Sequence, residues 1–144
     1  MFTASAVPAA TGAALGALAV IRSPEGPELF ARVLDNARYL HDGLAQLGYQ
    51  VEEPCRLPDG TEVITPIVPV LIGDDWRAVL MWKALYEAGV YVNVALYPAV
   101  QRGGALLRTS VSASHEREHL DRALDAFERV RDMPVDAEPA PQPR

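Results

Sequence analysis

The sequence predicts an α+β fold: a small, mainly antiparallel sheet with helices packed on one face, preceded by a long N-terminal helix. Two observations carry this reading. Segments of helical apolar spacing and short β-branched runs follow in the order helix, helix, strand, strand, helix, strand, strand, helix. And 144 residues, 49% hydrophobic and 22% charged, suit one globular domain and exclude general disorder.

The elements follow in order. Met1 to Ile21 carries no charge. Ala17-Leu18-Ala19 imitates a signal-peptidase site, yet no positive region precedes it, and Ala, Gly, Thr3, Ser5, Pro8 and Thr11 dilute the stretch below what a spanning helix needs. The stretch reads instead as a buried, close-packed helix starting after Pro8. Phe30, Val33, Leu34, Ala37, Leu40, Leu44 and Leu47 recur at helical spacing, with Pro27 in the first turn and Gly48 as the stop. Tyr49 to Glu52 suits a short strand, and Glu53 to Thr61, with Pro54, Pro58 and Asp59-Gly60, a loop. Val63 to Ile72 is β-branched, but Pro66 and Pro69 remove ladder donors, which predicts an edge or bulged strand.

Asp74 or Asp75 caps a helix running to Glu87 and stopped by Gly89. Val90 to Leu96 and Ala105 to Ser112 read as strands around a loop from Tyr97 to Gly104. The last helix gathers Leu120, Ala123, Leu124, Phe127 and Val130 on one face, with Glu118–Arg122 and Asp125–Arg129 at ion-pair spacing. The domain spans residues 1–132. Residues 133–144, with four prolines and no apolar periodicity, read as a disordered tail.

Net charge is −6, from 13 basic and 19 acidic residues, and the acids are dispersed. No basic stripe matches a phosphate backbone, which argues against nucleic-acid binding. One cysteine, Cys55, cannot form an internal disulfide, and the chain reads as cytoplasmic.

Two motifs bear on chemistry. His115-Glu116-Arg117-Glu118-His119 satisfies the H-E-x-x-H pattern, in which two histidines one helical turn apart bind zinc. Its intervening residues are charged and no third ligand suggests itself, so we expect no metal site and read the acids as complementing the helix dipole. Arg108 is the second. It stands among apolar residues of a strand, where a guanidinium has a fixed anionic partner: a structural carboxylate, or the carboxylate of a substrate.

Several stretches together resemble the C-terminal domain of the α-oxoamine synthases, pyridoxal-phosphate enzymes of fold type I. They are Phe2-Thr3-Ala4-Ser5 with Pro8-Ala9, then Thr65 to Asp74, then Gly89 to Asn93, Pro98 to Val100, Leu107-Arg108 and Ser112 to His115. The Phe-Thr-Ala-Ser and Tyr-Val-Asn pieces look most like the serine palmitoyltransferase branch. The match runs over residues 1 to 131, and its specificity lies in order and spacing rather than in any single motif.

The resemblance implies a pyridoxal-phosphate-dependent acyltransferase that condenses an amino acid with an acyl thioester, working as a homodimer. It implies that Arg108 binds the amino-acid carboxylate, that Thr3, Ala4 and Ser5 approach the cofactor phosphate, and that His115 is structural. The family's Schiff-base lysine belongs to a large domain with no counterpart in these residues. The only lysine, Lys83, matches no family motif and reads as a surface residue. No catalytic residue is therefore expected here, and the chain is expected to be inactive without a large-domain segment or partner subunit. The alternative is a non-catalytic module that kept the small-domain fold and binds a partner chain.

Overall fold

The computed structural model describes residues 7–133, which fall into two compact units meeting between Arg32 and Val33. The Pro-rich tail, residues 134–144, lies outside the described residues, as do Thr3, Ala4 and Ser5.

In the first unit, α1 (Pro8–Ile21) opens with proline in its first turn, where the missing N–H costs no helix bond. None of its residues is buried, which corrects the expectation of a close-packed helix. Its apolar side chains lie all round the axis, so burial requires neighbours on every side, and the described residues of its unit provide none. The Ser23 hydroxyl accepts from the Glu25 N–H at 3.2 Å, starting α2 (Glu25–Gln46). A Cβ on Gly26 would stand 2.2 Å from the Ile21 carbonyl oxygen, so only glycine fits this bend.

The second unit holds the rest of α2 and a four-stranded antiparallel sheet. Its strands are β1 (Gln50–Val51), β4 (Ile67–Gly73), β5 (Asn93–Ala95) and β6 (Ala105–Ser110), in the order β1-β4-β6-β5. Between β1 and β4 lies a separate hairpin of β2 (Cys55–Arg56), inside the segment expected to be loop, and β3 (Glu62–Val63), just after it. Its turn is closed by the Asp59 carboxylate, which accepts from Thr61 N–H at 2.9 Å, and by Gly60 at φ +86°. An Arg56–Glu62 ion pair lies across it.

The helices α3 (Asp75–Glu87) and α4 (Arg117–Arg131) complete the unit. Asp74 is the N-cap of α3, accepting from Arg77 N–H at 2.7 Å, and Gly48 and Gly89 follow α2 and α3 at positive φ. On α4 the pairs expected at Glu118–Arg122 and Asp125–Arg129 do not form. Both lie on exposed turns, where holding two long side chains together gains little.

β4 is an interior strand whose register shifts between Leu71 and Gly73, so of the edge or bulged strand expected here the irregularity is what forms. The Pro66 carbonyl accepts from Val111 N–H at 2.9 Å, so by alternation residues 68 and 70 turn their backbone groups to β6, and 67, 69 and 71 turn away. β1 pairs only Val70 and Leu71. Pro69 therefore points its donor-less nitrogen past the end of β1, where no bond is lost.

The side chains alternate accordingly. Val68, Val70, Leu107 and Thr109 are buried on one face with Leu44 of α2, Met81 and Leu85 of α3, and Phe127 of α4. Each of these large side chains contributes on the order of 2 kcal/mol by leaving water. Ile67, Leu71, Arg108 and Ser110 lie on the opposite face, which no helix of this unit covers. That open face positions the candidate site.

Candidate functional site

Arg108 lies on the interior strand β6, on the open face, with Pro69 of β4 on one side and Asn93 of β5 on the other. Residues directly opposite in an antiparallel sheet share a face, so the three form one row across it. Arg108 makes no salt bridge with any described residue. Its neighbours in the row and along β6, namely Pro69, Asn93, Leu106 and Ser110, are all uncharged. A guanidinium so placed is a fixed cation with its hydrogen-bonding fork free, and what it matches is a carboxylate or phosphate arriving from outside. Among the described residues, then, the structural ion pair left open by the sequence does not form.

The strand that carries Arg108 leads into a turn built by polar contacts. Asn36, buried on α2, donates its amide to the carbonyls of Ser112 at 3.1 Å and His115 at 2.9 Å. His115 Nδ1 accepts from Ser112 N–H at 3.0 Å, and His119 Nδ1 accepts from Glu116 N–H at 3.0 Å. The latter is half of a capping box at the start of α4. Both imidazoles thus use Nδ1 as acceptor, which puts the proton of the neutral ring on Nε2. A metal would have to displace that proton or take a backbone bond, so the H-E-x-x-H pattern is here a helix-capping device. A groove of about 690 Å³ between α4 and residues 88–92 is lined by Tyr91, His115, His119 and Arg122; Arg108 does not line it.

Sequence reasoning overlooked Asn36 as part of this arrangement. Its signal was a polar residue falling on the apolar stripe of α2, one turn from both Val33 and Leu40. Lys83, by contrast, stands where it was expected: exposed on α3, with Nζ 3.8 Å from Glu87 Oε1.

The residues 1–127 match the family model for aminotransferase class I and II. The chain belongs to that family. Among its curated relatives, the 8-amino-7-oxononanoate synthase of Petrotoga mobilis is 36% identical over 90% of this chain, and the serine palmitoyltransferase of Caulobacter vibrioides 39% over the same share. The chain spans 30% of the length of each. A serine palmitoyltransferase from S. paucimobilis, with bound PLP–myriocin, superposes with a TM-score of 0.76 at 34% identity, over 90% of this chain and 30% of that one. The α-oxoamine synthase resemblance and the α+β fold read from the sequence therefore hold.

The described residues do not by themselves fit that cofactor. A lysine that forms a Schiff base must offer a neutral amine inside a sheltered site, and Lys83 is exposed and paired with a carboxylate.

Proposed function

We propose that this chain is the C-terminal part of a pyridoxal-phosphate-dependent α-oxoamine synthase, and that Arg108 binds the carboxylate of its amino-acid substrate. The observation that carries the reading is the unpaired guanidinium on an uncovered sheet face in a member of this family. The complete enzyme would join the amino acid to an acyl thioester, with release of carbon dioxide and the free thiol. In it this chain supplies the anion anchor, while the large domain supplies the Schiff-base lysine. Thr3, Ala4 and Ser5 are proposed to approach the cofactor phosphate, where short hydroxyls and backbone N–H groups suit phosphate oxygens. We further propose a homodimer in the cytoplasm: Cys55 is free and exposed, which fits a reducing compartment. Among the described residues no helix is long and apolar enough to cross a membrane.

The test uses the complete enzyme, in which this chain is joined to the large domain. Amino acids are titrated against the cofactor absorption band. Arg108→Ala should weaken binding by roughly 2–5 kcal/mol, about 30- to several-thousand-fold, with cofactor loading unchanged. Arg108→Lys should recover only part, because an ammonium cannot make two parallel bonds. If Arg108→Ala binds amino acid as tightly as the parent, the assignment of Arg108 is wrong.

A further inference from the structure

We infer that Asn93 is a second, specificity-determining contact of the Arg108 anion site, donating its side-chain amide to the carboxylate that the guanidinium holds. This rests on the reading of Arg108 given above.

Three features of the sheet carry it. Asn93 and Arg108 are Cα partners in the β5–β6 ladder. Because Val111 and, by alternation, Thr109 turn their backbone groups toward β4, Arg108 turns its own toward β5. Asn93 and Arg108 are thus a hydrogen-bonded pair with Cα atoms about 5.5 Å apart and side chains on one face. That separation lets one carboxylate reach both groups.

The row is also asymmetric. On the β4 side Arg108 meets Pro69, whose ring offers no polar atom. On the β5 side it meets an exposed amide that makes no hydrogen bond with a described side chain. A carboxylate on the guanidinium fork is therefore flanked by an apolar ring on one side and a neutral donor on the other.

The chemistry favours this division of labour. A primary amide offers two N–H donors without adding charge, so it strengthens the hold on an anion while leaving one fixed cation. An acid at the same register would neutralise Arg108 and close the site to anions.

The experiment again uses the complete enzyme and the cofactor absorption band, with L-alanine and ethylamine, which lacks the carboxylate, as probes. Asn93→Ala should weaken L-alanine binding about 10- to 100-fold and leave ethylamine unchanged, as expected for one lost bond to a charged group. Asn93→Asp should lose more, because its carboxylate pairs with Arg108 itself. A thermal melt of each variant, matching the parent, shows that the sheet is intact. Equal loss for both probes, or no loss of L-alanine affinity in Asn93→Ala while Arg108→Ala loses it, would overturn the inference and spare the Arg108 assignment. Loss in neither variant overturns the Arg108 assignment instead.

Discussion

Tyr49 shows how one side chain fastens two helices. It follows α2, donates its hydroxyl to the Phe127 carbonyl of α4 at 2.7 Å, and meets the Phe127 ring edge-on at 5.4 Å. Burial pushes its hydroxyl up to about 12 from the ordinary 10.0. The folded phenol thus holds its proton more tightly than the unfolded one. Its contribution to stability is complete below about pH 10 and is lost as pH rises toward about 12. Tyr49→Phe should therefore be somewhat less stable at neutral pH, by about 1 kcal/mol, and should lose less of its remaining stability on going to pH 12. Urea midpoints of the two proteins across that range check this; parallel curves would contradict it. The position of Arg108 as a lone cation was legible, because a charge in an apolar strand is conspicuous. Asn93 was not, since an exposed amide looks ordinary until the register sets it opposite that cation.

Among elements, the junction of α2 with the turn after β6 depends on Asn36. Its amide serves two carbonyls of one turn, and that turn fixes where β6 ends and α4 begins. Asn36→Asp replaces two donors by an acceptor facing two acceptors. It should cost more stability than Asn36→Ala, which itself should cost about 2 kcal/mol by leaving the partly buried His115 carbonyl without its amide donor, the Ser112 carbonyl keeping the His115 N–H. Chemical denaturation of both variants tests the order, and an Asp variant as stable as the Ala variant would refute it. Helix ends were readable because glycine past the stop and aspartate before the start act through local backbone geometry. The β2–β3 hairpin was not, because two-residue strands are defined by the partner they meet and leave no period in the sequence. The prolines of β4 left edge and bulge open for a related reason: where a missing donor points depends on the neighbouring strand's length.

At the scale of the whole molecule, a chain spanning 30% of the length of its relatives has one lysine, and its described residues include an open sheet face and an exposed apolar helix. Incubated alone with pyridoxal phosphate and then reduced with borohydride, it should show no stoichiometric adduct, since Lys83 is exposed beside Glu87 and no sheltered site surrounds it. Peptide mapping by mass spectrometry reads this directly. One adduct per chain at Lys83 would make this chain a cofactor-binding unit in its own right. The fold could be read from the sequence because the core depends on periodic apolar positions. The fate of α1 could not, because an all-round apolar helix specifies that it needs cover but not who provides it.

The direction in which Pro69 turns its nitrogen also bears on strand addition at this edge. β1 pairs only two residues of β4, which leaves the segment from Ile67 to Pro69 without a ladder partner on that side, on a sheet face where Ile67 and Leu71 are exposed. Such an edge is a template onto which strands of other molecules can add, layer upon layer. Each added strand must receive the bonds that the edge donates, and at Pro69 a ring stands in place of a donor, bulging toward the newcomer. Of the two residues of the segment whose backbone turns outward, Ile67 and Pro69, only Ile67 keeps a donor, which is too short a template to hold a foreign strand in register. The same residue that leaves one flank of Arg108 apolar thereby blunts the edge against fibril growth.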